Sequence, residues 1–219
     1  MSVLDISPVL PIVVLDDPDA AVPLANALLA GGVGIVEVTL RTAAALTCIE
    51  RIAREVDIVV GAGTVLTRAQ AEAASTAGAT FLVTPGTTGD LATALLDSGL
   101  DALPGCSTIS EALALRDRGF KQLKLFPAEA AGGPEFLAAA LGPLPDLTFC
   151  PTGGITLERA PDYLALPNVS CVGGSWVAPI SAIREGAWDS ITARADRAAQ
   201  LSGAQAVAPT SGGVVSLAQ

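Results

Sequence analysis

The stretch from residue 119 to residue 129 is an apolar run that contains the only two lysines of the chain, Lys121 and Lys124. Alternation at period two predicts a β-strand with Lys124 on one face and Lys121 on the other. Because both faces of a strand are covered in a parallel sheet, Lys124 is predicted to be largely buried. Burial favours the neutral amine, a nucleophile that can form a Schiff base with a carbonyl substrate.

The composition narrows the chemistry further, because the chain has no histidine. An imidazole base and a histidine metal ligand are excluded, so carboxylates, lysine, cysteine, hydroxyls or a cofactor must carry any reaction. Lys121 lies near the start of the strand and is predicted to reach solvent along its alkyl stem. A lysine in a strand is more often a surface residue than a reactive one, so the interpretation of Lys124 depends on its surroundings.

A second polar group follows the same period-two pattern in the apolar run from residue 33 to residue 41. Glu37, Thr39 and Arg41 fall on one face, which indicates a polar channel rather than a packed layer. Glu37, if it faces Lys124, would be a proton-transfer group, and the planar fork of Arg41 could hold a substrate carboxylate. The alternative is an internal Glu37–Arg41 ion pair with no catalytic role.

Glycine-rich segments follow several of the predicted strands. The first, Gly61-Ala-Gly-Thr-Val65, lacks the third glycine of a dinucleotide fingerprint, so its amides and the Thr64 hydroxyl are more suited to a carboxylate. Thr84-Pro-Gly86 and Pro104-Gly105 are predicted to be tight turns. Pro151-Thr-Gly-Gly-Ile155 and Val172-Gly-Gly-Ser-Trp176 expose backbone amides that could bind phosphate, although simple turn geometry would also use glycine.

The charge and the cysteines limit the partners and the compartment. A net charge of −10 argues against nucleic acid or an anionic membrane as a partner, while leaving a local anion site possible. The four cysteines are scattered without a CxxC pair, and no signal peptide or membrane-spanning apolar run is visible. We therefore expect free thiols and a cytoplasmic protein.

Eight strand–helix units, at a spacing of roughly 25 residues, predict a (β/α)8 TIM barrel, with a doubly wound sheet as the competing architecture. Asp16 or Asp17 is predicted to cap the first helix, and Thr108 with Glu111 to form a capping box. Residues 1–201 are predicted to form a single domain and the polar tail 202–219 to be disordered. The predicted strands are Val9–Leu15, Val33–Leu40, Asp57–Ala62, Thr80–Thr84, Asp101–Leu103, Phe120–Phe126, Asp146–Pro151 and Asn168–Gly173.

Together these groups suit a keto acid with a phosphorylated tail. Lysine would take the carbonyl, arginine and threonine the carboxylate, and the glycine loops the phosphate. A protonated imine withdraws electrons from the adjacent carbon–carbon bond, so the reaction class is aldol cleavage or condensation.

Five motifs occur in order along the chain: Glu37-Val-Thr-Leu-Arg-Thr42, Gly61-Ala-Gly-Thr-Val-Leu66, Lys124-Leu-Phe-Pro-Ala-Glu129, Cys150-Pro-Thr-Gly-Gly-Ile155 and Gly173-Gly-Ser-Trp176. They resemble the 2-keto-3-deoxy-6-phosphogluconate (KDPG) aldolase family, which also includes 4-hydroxy-2-oxoglutarate aldolases. The likeness runs from about residue 9 to residue 201. It implies a class I aldolase of the TIM-barrel type, usually a homotrimer, that makes pyruvate and glyceraldehyde 3-phosphate in the Entner–Doudoroff pathway without a metal or cofactor.

The resemblance also implies roles for individual residues. Lys124 would be the Schiff-base lysine and Glu37 the acid and base that moves protons. Arg41 and Thr64 would bind the pyruvate carboxylate. The remaining substrate-binding positions would be Pro85 and Phe126 in the pyruvate pocket, and Thr152, Gly153, Gly154, Gly174 and Ser175 for the distal hydroxyls and phosphate.

One departure and three alternatives accompany this resemblance. Many relatives carry a basic residue just after the first strand, whereas this chain has Leu15-Asp16-Asp17, so any substrate contact from that loop is in question. The nearest alternative is the aldolase for the galactonate-derived isomer. The others are a non-catalytic phosphosugar-binding barrel, in which Lys124 and the Glu37–Arg41 pair are structural, and a nucleotide-binding enzyme built on the Gly61 loop.

Overall fold

A computed structural model describes residues 3–201 of the 219-residue chain. The tail 202–219, predicted to be disordered, lies outside the described residues. The division into one domain and a tail therefore stays a prediction.

The described residues form an α/β fold whose strands all pair in parallel. One sheet has the order β5-β4-β3-β2-β1-β9, and a second has the order β6-β7-β8. The strands are β1 Val9–Val13, β2 Ile35–Thr39, β3 Val59–Gly63, β4 Phe81–Val83, β5 Asp101–Leu103, β6 Gly105–Cys106, β7 Gln122–Leu125, β8 Thr148–Pro151 and β9 Val172–Gly174.

The two sheets meet at Pro104, which separates β5 from β6. β5 pairs with β4, whereas β6 pairs with β7, and Gly105 lies opposite Lys124. Proline has no N–H to donate to a ladder, so a break in pairing falls naturally there. Its carbonyl still accepts from the amide of Lys124 at 3.0 Å. The predicted tight turn at Pro104-Gly105 is therefore wrong, because the chain continues there as a strand.

The other edges of the two sheets are joined by isolated bridges. Phe149 pairs with Val169, and Thr152 pairs with Gly173, both in parallel. The parallel strands thus curl around a common interior, and their carboxyl ends lie at one rim.

Helices cover the outside of the sheets. In α2 the buried positions Ala45, Cys48, Ile49 and Ile52 follow the i, i+3, i+4, i+7 spacing of one helical face. Each isoleucine contributes about 1.5–3 kcal/mol by its burial. The helices of the described residues are α1 Ala21–Ala30, α2 Ala45–Glu55, α3 Arg68–Thr76, α4 Gly89–Ser98, α5 Ile109–Asp117, α6 Gly133–Leu141, α7 Ala160–Leu164, α8 Ile180–Arg184 and α9 Trp188–Ala199.

The capping predictions were met at one helix and only partly at another. The capping box between Thr108 and Glu111 at the start of α5 is confirmed. Asp17 accepts a hydrogen bond from the amide of Asp19, but it caps the 3-10 turn Pro18–Ala20 that precedes α1 rather than α1 itself. The short helix α8 was not predicted. Within the described residues no helix has the length and apolar character to cross a membrane.

Candidate active site

Lys124 lies in β7 with its amino group turned into the interior between the sheets. Lys124 is 6% exposed and Glu37 is 1% exposed. Nζ of Lys124 lies 3.4 Å from Oε1 of Glu37. The ring centroid of Phe126 lies 5.6 Å from Nζ. Lys121, three residues earlier, is exposed and bonds Asp146 at 2.7 Å. The predicted burial of Lys124 and exposure of Lys121 are both confirmed.

Glu37 occupies the middle of β2, in register with Ile12 of β1 and Gly61 of β3. Its ion pair within residues 3–201 is with Lys124, so the alternative of a structural pair with Arg41 is wrong. The second oxygen, Oε2, is buried and has no hydrogen-bond partner among the described residues. A buried oxygen of this kind is costly to leave unpaired, so the position suits a water molecule or a substrate hydroxyl.

Glycine makes room for this pair. A methyl group built on Gly63 would lie 1.9 Å from Oε1 of Glu37, so any side chain there would displace the carboxylate. A methyl group on Gly105 would lie 2.4 Å from the carbonyl carbon of Pro85. Since Gly105 pairs with Lys124, this close approach places Pro85 beside the lysine strand.

Arg41 and Thr64 meet at the rim, just past the ends of β2 and β3. Nε of Arg41 donates to Oγ1 of Thr64 at 3.3 Å. Thr64 has a φ of 57°, a left-handed conformation that is uncommon for a β-branched residue. The other N–H groups of the exposed Arg41 guanidinium are suited to donate to a carboxylate.

The predicted distal residues gather where β8 and β9 end. Thr152 is buried and pairs with Gly173, against which its Oγ1 packs closely. Gly153 and Gly154 have φ values of 103° and 82°, and Gly154 is exposed. Gly174 lies buried beneath the indole of Trp176, followed by the exposed Ser175. These positions therefore lie at the rim formed by the carboxyl ends of the strands.

The thiols are poor nucleophiles in this setting. Burial raises the pKa of Cys106 to about 12 and that of Cys48 to about 11. The pKa of Cys171 is also raised, first by its hydrogen bond with Cys150 and then by burial. All four cysteines are free and buried. At neutral pH the thiols of Cys48, Cys106 and Cys171 are therefore protonated and weakly nucleophilic.

Three positions of this region had no individual role predicted from the sequence. Gly63 was seen only as part of a loop motif. Thr84 is fully buried, and its hydroxyl accepts from the amide of Gly105 at 2.8 Å, which fixes the loop that carries Pro85. Tyr163 bonds Glu129 at 2.8 Å. The one available signal was that Tyr163 is the only tyrosine in the chain.

Comparison with known proteins agrees with this geometry. The family profile described as "Aldolase: KDPG and KHG aldolase" matches residues 1–194. The chain belongs to this aldolase family. The 2-dehydro-3-deoxy-phosphogluconate aldolase of Pseudoalteromonas atlantica is 50% identical over 192 residues, which are 87% of this chain and 89% of that protein.

Two solved aldolase structures share the fold. The KDPG aldolase of Legionella pneumophila, with pyruvate captured at low pH as a covalent carbinolamine intermediate, has a TM-score of 0.87 and 42% identity over 90% of this chain and 96% of its own. The Zymomonas mobilis aldolase with 3-phosphoglycerate has a TM-score of 0.86 and 39% identity over 92% of this chain and 95% of its own.

Proposed function

We propose that this protein is a class I aldolase that reversibly cleaves KDPG to pyruvate and glyceraldehyde 3-phosphate through a Schiff base on Lys124. The observation that carries the proposal is the buried Lys124–Glu37 pair, in which one carboxylate oxygen has no partner among the described residues. Family membership and the carbinolamine captured in the Legionella pneumophila relative support the same chemistry.

Each step of the reaction has a group suited to it. Nζ of Lys124, as the neutral amine, attacks the C2 carbonyl to form a carbinolamine, whose hydroxyl takes a proton from Glu37 and leaves as water to give a protonated imine. The imine accepts the electron pair of the C3–C4 bond as the C4 hydroxyl loses its proton to Glu37, through a bound water. Glyceraldehyde 3-phosphate leaves, and the enamine takes that proton from Glu37 at C3 to give the pyruvate imine. Water then hydrolyses this imine and restores the amine.

The binding residues divide between the two ends of the substrate. Arg41 and Thr64 would hold the pyruvate carboxylate, an assignment supported by their 3.3 Å contact at the rim. Pro85 and Phe126 would line the same pocket. The distal hydroxyls and the phosphate would bind at Thr152, Gly153, Gly154, Gly174 and Ser175.

The proposal extends to the assembly and its setting. We propose that the two curled sheets complete a (β/α)8 barrel. The isolated bridges Phe149–Val169 and Thr152–Gly173, which join the edges of the two sheets, support this proposal. The protein would be a cytoplasmic homotrimer whose partners are small-molecule substrates, with no metal, cofactor, nucleic acid or membrane. Trimerisation rests on family likeness, and sedimentation of the purified protein would test it.

A second activity, cleavage of 4-hydroxy-2-oxoglutarate to pyruvate and glyoxylate, would use the same pyruvate half of the site. The family profile names both reactions, which favours it. Pyruvate release should be measured from KDPG, from the epimeric galactonate-derived substrate and from 4-hydroxy-2-oxoglutarate. We expect the highest kcat/KM for KDPG. Preference for the galacto epimer would overturn the assignment, and release from none of the three would favour a non-catalytic barrel.

A further inference from the structure

The turn that follows β7 is bonded directly to the turn that follows β8. The amide of Ala128 donates to the carbonyl of Thr152 at 2.7 Å, and the amide of Glu129 donates to the carbonyl of Gly153 at 3.1 Å. These bonds extend the pairing of the two strands beyond their ends. The glycine turn is therefore attached to the segment that begins at Lys124.

The side chain of Glu129 fills the space beneath this glycine turn. A methyl group built on Gly154 would lie 2.8 Å from Cγ and 2.9 Å from Cβ of Glu129. On the other side, a methyl group on Gly153 would lie 3.2 Å from Cα of Pro127 and 3.3 Å from the ring of Phe126. The backbone of both glycines thus rests on the residues that follow Lys124.

Tyr163 of α7 and Arg159, which immediately precedes α7, both contact the carboxylate of Glu129. The hydroxyl of Tyr163 donates to Oε1 at 2.8 Å, and Nε of Arg159 lies 3.5 Å from the same oxygen. Tyr163 is 0% exposed as a residue, so its ring cannot move without disturbing the core. Burial, followed by the bond to Glu129, raises the pKa of Tyr163, so the phenol stays protonated and continues to donate.

We propose that Glu129, held by Tyr163, is a positioning residue that sets the distance between Lys124 and the Gly153-Gly154 turn, and thereby selects substrates that carry a phosphorylated tail. The inference rests on the proposed function, in which this turn binds the distal end of the substrate. A shift of the turn would weaken binding of the tail and leave the chemistry of pyruvate itself unchanged.

The test uses three variants and one control in the full-length protein. Tyr163→Phe keeps the ring and removes the donor, Glu129→Ala removes the stem beneath Gly154, and Glu129→Gln keeps both the stem and an acceptor. The control is Glu72→Ala, which removes an exposed carboxylate on α3, away from Glu129 and Tyr163. Three quantities are measured: kcat/KM for KDPG, kcat/KM for 2-keto-3-deoxygluconate, which lacks only the phosphate, and the rate of borohydride trapping of pyruvate on Lys124.

We expect Tyr163→Phe and Glu129→Ala to lower the ratio of the two kcat/KM values about 10-fold through a higher KM for KDPG, as expected for the loss of one hydrogen bond. The trapping rate should stay within about twofold of the unmodified protein, since pyruvate has no tail. Glu129→Gln should recover most of the ratio, and Glu72→Ala should not change it.

Two results would overturn the inference. An unchanged ratio in both Glu129→Ala and Tyr163→Phe would mean that the turn does not depend on these residues. An equal loss for both substrates and for trapping would mean that they support the whole fold rather than the tail site. Absence of pyruvate trapping in the unmodified protein is a different result, because it would refute the proposed function itself.

Discussion

The two lysines of the chain lie three residues apart and occupy opposite kinds of site. Nζ of Lys121 bonds Oδ2 of Asp146 at 2.7 Å, and Arg116 bonds both oxygens of the same carboxylate at 2.8 and 3.0 Å. Lys124 pairs with Glu37 at a longer 3.4 Å, and the second oxygen of Glu37 has no partner in the described residues. Both oxygens of Asp146, in the outer pair, accept hydrogen bonds, whereas one oxygen of Glu37, in the inner pair, has no partner among the described residues.

Exposure makes the difference between these pairs consequential. The side chain of Lys121 is 61% exposed and that of Lys124 is 7% exposed. An exposed pair is screened by water and contributes about 0–1 kcal/mol. A buried pair with an unfilled acceptor costs stability, and such groups are concentrated at functional sites. The outer pair therefore has the features of a structural contact, whereas the burial and the unfilled acceptor of the inner pair support its proposed catalytic role.

The largest expected effect separates the two lysines by substitution. Lys124→Met removes the amine that we propose forms the imine, and it should lower kcat for KDPG cleavage by at least about 1000-fold. Lys121→Met is the matched control and should stay within about twofold. Pyruvate release from KDPG measures both. Comparable losses in the two variants would break the distinction between the inner and outer sites.

A second substitution tests the two carboxylates. Glu37→Gln removes the proposed proton acceptor while keeping the size of the side chain, so kcat should fall about 100- to 10,000-fold. Asp146→Asn, the equivalent change at the outer pair, should leave kcat unchanged. Steady-state kinetics of both variants decides the matter, and a fully active Glu37→Gln enzyme would refute the assigned role.

A smaller effect should come from the glycine that accommodates Glu37. In Gly63→Ala the new methyl group would meet Oε1 of Glu37 and displace it, so we expect kcat to fall about 10- to 100-fold and the free energy of unfolding by about 1–3 kcal/mol. Gly142→Ala is the control, because a methyl group there meets no atom within 4 Å. Kinetics and thermal denaturation measure the pair. Equal behaviour of the two variants would contradict the close packing of Gly63 on Glu37.

The smallest effect concerns pH and the outer pair alone. The hydrogen bonds from Arg116 and Lys121 lower the pKa of Asp146 to about 2 from its usual 3.8. A depressed carboxyl pKa stabilises the fold above the unfolded value and ceases to do so as the pH falls through the folded value. The difference in melting temperature between the unmodified protein and Asp146→Asn should thus be constant above about pH 4 and shrink towards pH 2. A constant difference over that range would exclude the shift.

Much of the fold could be predicted from local pattern. Parallel strands buried on both faces leave apolar runs, so the strand positions were found to within a few residues. The break in strand pairing at Pro104 could not be predicted from local pattern, because it arises from β5 pairing with β4 while β6 pairs with β7. Asp17 was identified as a cap, but only the backbone geometry shows that it serves the 3-10 turn before α1.

In the candidate site, too, the features set by local pattern could be predicted, and the contacts between distant residues could not. Period two placed Lys124 and Glu37 on inward faces, yet the sequence left open whether Glu37 would pair with Arg41. The pairing of Glu37 with Lys124 brings together residues 87 positions apart in the sequence, and no local pattern predicts such a contact. The bond between Tyr163 and Glu129 is likewise a long-range contact, and the packing of Gly63 on Glu37 requires the register of two strands.

The central claim is that Lys124, and not Lys121, forms an imine with a keto acid. Incubating the protein with pyruvate, reducing with borohydride and locating the added mass by peptide mass spectrometry tests it directly, because the chain has only these two lysines. If Lys124 forms the imine, we expect a carboxyethyl adduct on Lys124 and an unmodified Lys121. An adduct on Lys121, or no adduct on folded protein at neutral pH, would contradict it.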